Sequence, residues 1–351
     1  VTRSARALCV AGTHGKTTTS TMLAHLLRNS AVDCNAFLGG ISKNFQKNLL
    51  LSEKSNLVVI EADEYDRSFW TLSPQMAVIT AVDADHLDIY GTEKEYRAAF
   101  EEFVSLIQPN GVLLMKDSLP ISPCLQKGVK LYTYSIEKGD FYAENIRIGN
   151  GEIFFDFVGP NVLVKDVQLG VPVYVNLENG IAAMAMAWLN GVSEEELRDA
   201  MASFAGVKRR FDFHIKTDDL VFLDDYAHHP EELKSSIESV RKLYPDKKLS
   251  ILFQPHLYSR TKDLADEFSE VLSLADEAYL LDIYPAREEP IEGVTSEMLL
   301  KKVKVSEKRV FSKKAFVDFT KEHTFEILLM AGAGDLDLLI PQVKENLLSK
   351  I

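Results

Sequence analysis

Eight consecutive residues, Gly12-Thr13-His14-Gly15-Lys16-Thr17-Thr18-Thr19, combine the groups that a bound phosphate needs. Glycines let the backbone curl so that successive N–H groups converge on one anion. A lysine adds a point charge, and the threonine after it offers a hydroxyl to Mg²⁺. The commoner form of such a loop has a glycine six residues before the lysine, but Val10 stands there. The sequence is therefore the shorter variant Gly-Thr-x-Gly-Lys-Thr. A glycine-rich turn beside a surface lysine is the competing explanation. The apolar run before the loop and the amphipathic run after it favour a phosphate site, because such a loop joins a strand to a helix.

Further chemistry-bearing residues stand at the ends of apolar runs. Glu61 closes Leu57-Val58-Val59-Ile60, and His86 follows the run 76–82. Parallel strands deliver their C-terminal ends to one sheet edge, so both side chains can reach a metal near the phosphates. A carboxylate suits Mg²⁺; a histidine suits it less, and residue chemistry leaves His86 open between ligand and helix-capping or core residue. Asp63, Glu64 and Asp66 read as a solvated acidic turn, or Asp63 and Glu64, with Asp85, as groups that support the metal or the substrate side. Asn176 and Asn179 can read an adenine edge or cap a helix. Arg209 and Arg210 are either a solvated face or a pair that a hinge carries onto a γ-phosphate. Two segments, Asp224-Asp225-Tyr226-Ala227-His228-His229-Pro230 and Gln254-Pro255-His256-Leu257-Tyr258-Ser259-Arg260-Thr261, form a polar rim where open α/β folds place ligands. Residues 282–292 and Gly332-Ala333-Gly334-Asp335 look like two more loops of that edge.

The elements that must position these groups alternate between short apolar runs and amphipathic stretches. Strands are expected over 7–11, 57–62 and 76–82, and helices from the phosphate loop to 28 and over 93–107. Residues 130–173 read as strands and turns, with a hairpin tip at 149–151. Helices follow over 177–189 and 193–204, the second opening on the capping box Ser193-Glu194-Glu195-Glu196. A connector over 205–213 leads to a second series, with strands over 220–223, 249–253, 278–282 and 327–330 and helices over 230–243, 261–274, 313–322 and 336–348. The expected fold class is α/β: a central P-loop ATPase-type, mostly parallel sheet domain over 1–207, then a Rossmann-like C-terminal domain over 208–351. The length of 351 residues agrees with two domains. A formal charge of −13 argues against a nucleic-acid binder that works by neutralising phosphates. No apolar run approaches the ~20 residues of a membrane span. Cys9, Cys34 and Cys124, odd in number and without metal-ligand spacing, suggest reduced thiols and a cytoplasmic protein.

Together these segments resemble the Mur ligases, which add amino acids to the peptidoglycan precursor; folylpolyglutamate and cyanophycin synthetases share the loop more loosely. The resemblance runs through Glu61-Ala62-Asp63-Glu64-Tyr65-Asp66, Asp83-Ala84-Asp85-His86-Leu87-Asp88, 176–179, 204–211, 224–230 and 254–261, in the family's order and over nearly the whole chain. It implies ATP as the nucleotide, with Gly12, Thr13, His14, Gly15, Lys16, Thr17 and Thr18 on its phosphates. It implies Mg²⁺, two ions, at Thr17, Glu61 and His86. Asn176 and Asn179 would lie at the adenine, Asn179 foremost, and Arg210 on the γ-phosphate. Asp224 or Asp225 would contact ATP. Tyr226, His228, His256 and Arg260 would border the incoming amino acid, with Arg260 on its carboxylate and His228 as the base for its amine. Some relatives hold a metal with a carbamylated lysine on the helix after the histidine; Glu101 or Glu102 is expected to replace it here.

The reaction implied is attack of a substrate carboxylate on the γ-phosphoryl group of ATP, giving an acyl phosphate that an amine converts to an amide. Within the family, Asp83 to His86, Gln254 to Arg260 and Tyr284-Pro285-Ala286-Arg287-Glu288 look most like the member that joins L-alanine to UDP-N-acetylmuramate. The alternative within the family is a recycling ligase that attaches a preformed tripeptide to the same sugar nucleotide. From a different class, a P-loop ATPase switch would account for the loop but not for the histidines and arginines of the second half. Family members begin with a UDP-sugar-binding domain, and this sequence starts just before the phosphate loop without a methionine. The expectation is that this N-terminal domain of the same protein is missing. The 351 residues alone would then bind Mg²⁺-ATP but take up UDP-N-acetylmuramate poorly and ligate slowly. All expected partners are small molecules, with no nucleic acid and no membrane.

Overall fold

The computed structural model describes residues 2–84 and 87–350. The chain divides into two units, Val1–Lys208 and Arg209–Ile351. In the first, seven strands form one sheet: β1 (Arg6–Ala11), β2 (Asn35–Ser42), β3 (Lys47–Leu50), β4 (Leu57–Glu61), β5 (Met76–Ile79), β6 (Val112–Lys116) and β7 (Lys130–Tyr134). Their order is β3-β2-β4-β1-β5-β6-β7, all parallel except the edge strand β3. Leu8 to Ala11 and Leu57 to Val59 are buried on both sheet faces, which is why these strands read as unbroken apolar runs rather than alternating ones. β8 (Tyr142–Gly149), β9 (Glu152–Gly159) and β10 (Val162–Gln168) make a separate antiparallel sheet, whose first hairpin turns at Asn150-Gly151.

Among the described residues, five helices belong to this unit: α1 (Lys16–Arg28), α2 (Leu87–Tyr90), α3 (Glu93–Ser105), α4 (Tyr174–Leu189) and α5 (Glu194–Ser203). α1 packs on α4, α5, β2 and β4. The capping box is present: the Ser193 hydroxyl accepts from Glu196 N–H and the Glu196 carboxylate accepts from Ser193 N–H. On the opposite sheet face, Phe69, Tyr96, Phe100 and Phe103 fill the core around the 3₁₀ segment Tyr65–Thr71. Phe69 stacks on Phe103 at 4.9 Å.

His25 makes a pH-dependent joint between α1 and α5. It is 2% exposed, and Asn29 Nδ2–H donates to its Nδ1 at 3.2 Å. Its Nε2–H therefore donates to the Ala200 carbonyl at 2.9 Å, and the ring is neutral. Burial pushes its pKa down to about 4 against the ordinary 6.5, the Ala200 bond opposing. A folded-state pKa below the unfolded one favours folding fully above pH 6.5 and is lost as pH falls towards 4. About 3 kcal/mol of first-unit stability should disappear over that window. Urea melts at stepped pH should show this slope, and a His25→Gln variant should flatten it.

The second unit is one six-stranded sheet of β11 (Asp212–Lys216), β12 (Val221–Asp225), β13 (Leu249–Phe253), β14 (Glu277–Leu281), β15 (Glu307–Phe311) and β16 (Ile327–Ala331). The order is β11-β12-β16-β13-β14-β15, parallel except for the edge strand β11. The helix α6 (Pro230–Leu243) follows β12 with proline in its first turn, where a missing N–H costs nothing. No helix among the described residues is long and apolar enough to cross a membrane.

Several elements differ from the sequence-based expectation. The strand expected over 76–82 stops at Ile79, because the next residues leave the sheet to hold the phosphate loop. The helix expected over 261–274 is two, Tyr258–Asp263 and Ala265–Leu272, meeting at a non-helical Leu264. The helix expected over 336–348 begins as the 3₁₀ turn Leu336–Leu339, and regular helix starts only at Ile340, next to Pro341.

Candidate functional site

β1 ends at Ala11, and the chain turns through Gly12 to Gly15 into α1. Two glycines are required here. Gly12 has φ 142° and lies so close to Thr80 that an added Cβ would meet Thr80 Oγ1 at 2.1 Å. Gly15, the residue before the helix, has φ 82°. Residues after β5 brace the loop: Thr13 N–H donates to Ala81 O at 3.1 Å, the Thr13 hydroxyl to Asp83 O at 2.7 Å, and the Thr80 hydroxyl to His14 O. Tyr96 of α3 adds a hydroxyl contact to Thr13 at 2.9 Å. Among the described residues no side chain caps α1, and no acid stands in its first turn, while His25 and Arg28 stand in its last. An uncapped helix N-terminus presents N–H donors and a positive dipole end to an anion.

Lys16 Nζ folds back on its own loop, donating to Gly12 O at 2.7 Å, and pairs with Glu64 at 2.8 and 3.0 Å. Glu64 is 1% exposed. Thr17 donates its hydroxyl to Glu61 Oε1 at 2.8 Å, and Gly39 N–H donates to Glu61 Oε2 at 2.9 Å. Two hard oxygens at that separation suit Mg²⁺, whose adjacent ligands in an octahedron stand about 2.9 Å apart. A Cβ on Gly39 would lie 2.3 Å from the Glu61 carboxylate and push it from this position. His14 is exposed, 3.9 Å from Asp83, and Thr18 is part-exposed on the first turn of α1. His86, with Asp85, lies outside the described residues.

Asn176 and Asn179 are inside α4, not at its cap, which is Val173. Capping therefore does not explain them. Asn179 Oδ1 accepts from the Thr19 hydroxyl at 3.2 Å and packs against Gly15, while its Nδ2 donates to Asn176 Oδ1 at 3.2 Å. Both amides are buried behind the phosphate loop. Of the two glutamates expected to replace a carbamylated lysine, Glu101 accepts from Ser122 N–H at 2.8 Å and Glu102 is exposed. Tyr96, a turn earlier, is the α3 side chain that reaches the loop.

In the second unit the rim residues converge at the C-terminal ends of β12 and β13. Asp224 and Asp225 alternate across β12. Asp225 accepts from Phe211 N–H at 3.1 Å, from Tyr226 N–H at 2.9 Å and from the Ser236 hydroxyl. Asp224 accepts from His214 Nε2 at 2.7 Å. Burial raises the pKa of both carboxyls, opposed by these hydrogen bonds. Among the described residues, Asp212, His214 and Asp224 have ligand atoms within 4.8 Å of one another. Rings then run in series: Tyr226 and His228 at 5.3 Å, His228 and His256 at 6.0 Å, His256 stacked on Tyr284 at 5.7 Å. Arg260 lies 3.5 Å from His256 Nδ1.

The His228 Nδ1–H donates to the Tyr226 carbonyl at 2.9 Å, which leaves Nε2 as a lone-pair acceptor. Burial pulls the His228 pKa below 6.5, and burial with Arg260 and His228 alongside pulls that of His256 down to about 4. The two connector arginines differ. Arg209 is tied to the Gly332 and Gly334 carbonyls at 3.3 and 2.9 Å. Arg210 lies over the Tyr226 ring at 5.0 Å, with no hydrogen-bond partner among the described residues.

The residues missed from sequence are supports. Gly39, Thr80 and Tyr96 hold Glu61 and the phosphate loop, and Ser236 and His214 hold the two aspartates; Tyr284, which backs His256, stands in the segment 282–292 already marked in the sequence. Their types are ordinary, and only their positions in space give them a task. Of these supports, Tyr96 left a signal, an amphipathic-face position that places a hydroxyl beside Phe100 and Phe103.

A phosphate loop between a parallel strand and an uncapped helix, followed by a second parallel α/β sheet, defines a nucleotide-dependent α/β protein. Family models describe residues 10–187 as a Mur ligase middle domain and 209–342 as a Mur ligase, glutamate ligase domain. The chain is 60% identical over 352 aligned residues to a protein of Parabacteroides distasonis named UDP-N-acetylmuramate–L-alanine ligase, covering 100% of this chain and 76% of that protein. The crystal structure of UDP-N-acetylmuramate–alanine ligase from Thermotoga maritima matches with a TM-score of 0.80 at 25% identity, covering 99% of this chain and 76% of that one. A murein peptide ligase from Psychrobacter arcticus matches in fold, with a TM-score of 0.61 at 22% identity over 99% of this chain and 78% of that one. The chain belongs to the Mur ligase family.

Proposed function

We propose that this chain works as an ATP-dependent ligase that forms a C–N bond between L-alanine and the carboxylate of UDP-N-acetylmuramate. The observation that carries the reading is 60% identity along the whole chain to a ligase of that name. The site geometry supports it. One carboxylate oxygen of the sugar nucleotide attacks the γ-phosphorus, the bond to the ADP oxygen breaks, and an acyl phosphate forms. The amine then attacks the acyl carbon, inorganic phosphate leaves, and the amine proton passes to a base.

Each residue takes a role in that sequence. Gly12 to Thr18 and the α1 N-terminus hold the phosphates, and Lys16 leaves Glu64 to neutralise them. Thr17 and Glu61, with His86 as the further expected ligand, would hold Mg²⁺, which when bound screens the charge of the reacting phosphates. Asn179 and Asn176 stiffen the loop from behind and border the adenine. Arg210, free to move its fork, stabilises charge on the transferred group. Asp225 fixes the connector and the Tyr226 turn. Tyr226, His256 and Arg260 orient the amino acid, and His228 accepts the amine proton at Nε2.

On protein carrying a UDP-sugar-binding N-terminal domain, phosphate release measured with L-alanine and with the murein tripeptide separates the two family readings. L-alanine should be used at least tenfold more efficiently. Preference for the tripeptide would replace this reading with the recycling one.

A further inference from the structure

The acidic segment after β4 ends in an unusual stretch of backbone. Asp66 and Arg67 both have left-handed conformations, φ 51° and 56°, although neither is glycine. Two such residues in succession store strain that the surroundings must impose. The imposing contacts are visible. Arg67 N–H donates to Glu64 O at 2.9 Å, and the Tyr90 hydroxyl donates to the same carbonyl. Phe69 is locked in the aromatic core, and Trp70 Nε1–H donates to Ala99 O at 3.0 Å.

This arrangement props up one side chain. The Arg67 guanidinium lies 4.8 Å from the Tyr90 ring centre and 5.6 Å from that of Trp70. Asp63, Glu64 and Asp66 surround it in sequence, yet among the described residues it forms no ion pair and no hydrogen bond from its side chain. Stacking orients a guanidinium while leaving its in-plane donors available. The platform also touches the phosphate loop: Tyr90 packs edge-on to Tyr96 at 4.9 Å, Tyr96 meets Thr13 at 2.9 Å, and Glu64 pairs with Lys16.

We infer that Arg67 is an anion-binding residue of the active site, whose fork takes a phosphate or carboxylate group of a substrate. The inference rests on the ligase reading above. ATP and the acidic sugar nucleotide both carry such groups, and kinetics distinguish them. Arg67→Gly is the decisive variant, because glycine adopts the left-handed conformation without strain, so folding survives loss of the side chain. In the enzyme, Arg67→Gly and Arg67→Ala should raise KM for one of the two substrates about tenfold or more, with kcat changed less and Tm of the glycine variant not lowered. Arg67→Lys, which keeps the charge but loses the fork, should fall between. A rise for ATP identifies its phosphates as the ligand; a rise for UDP-N-acetylmuramate identifies the acceptor. Unchanged KM for both substrates, or a fall in Tm alone, overturns the inference. With a UDP-sugar-binding N-terminal domain attached, absence of ligation by the unsubstituted enzyme would instead overturn the reading on which it rests.

Discussion

Lys16→Ala should lower kcat/KM for ligation about a thousandfold or more. Lys16 carries the only formal positive charge in the segment 12–18, and its ammonium stands among the Gly12 carbonyl, the Thr13 carbonyl and Glu64. Phosphoryl transfer leaves the protein little covalent work, so the rate rests on positioning and on charge placed where the transferred group passes. The variant also strips Glu64, 1% exposed, of its ion-pair partner. Leaving a buried carboxylate unpaired costs about 3 kcal/mol. Tm should therefore fall as well, and the double variant Lys16→Ala with Glu64→Gln should recover Tm without recovering activity. If activity returned with Tm, Lys16 would be a structural residue only.

Arg210→Ala should lower kcat about a thousandfold, the scale of arginines that stabilise transferring phosphoryl groups, with a smaller change in KM for ATP. Arg210→Lys should recover little, since a point charge does not replace a planar fork. Arg209→Ala provides the contrast. Its guanidinium is committed to the Gly332 and Gly334 carbonyls and lies 3.7 Å from Asp337, so its loss should loosen that loop and lower Tm with kcat less affected. Equal kinetic losses in both variants would remove the distinction drawn between them.

How far the sequence could be read depended on whether a signal was local. β1, β4 and β16 carry unbroken apolar runs because both their faces are covered, β13 departs from this only at the buried Ser250, and such runs are legible at once. β2 and β3 were not: Gly39 and Gly40 interrupt one, and exposed Phe37, Leu49 and Leu51 blur the inside-outside pattern. β15 is an edge strand with three exposed residues at its start and reads as loop. The phosphate loop was legible because glycine, lysine and threonine at fixed spacing have few other uses. Glu61 was legible as an acid at the end of an apolar run. What braces them was not, since Gly39, Tyr96 and Thr80 come from β2, α3 and the segment after β5 and share no spacing with the loop. The paired aspartates of β12 show the same limit. Their types and order were plain, but the sharing of Asp225 among Phe211, Tyr226 and Ser236 exists only once β12 and α6 are in place.

The central claim is that ATP is spent on activating a carboxylate, and oxygen labelling tests it most directly. UDP-N-acetylmuramate carrying ¹⁸O in its carboxylate, incubated with ATP and L-alanine, should yield inorganic phosphate that contains one of those oxygens, because the attacking oxygen departs with the phosphoryl group. Phosphate released without the label, at the rate of amide formation or in the absence of L-alanine and sugar nucleotide, would contradict the account.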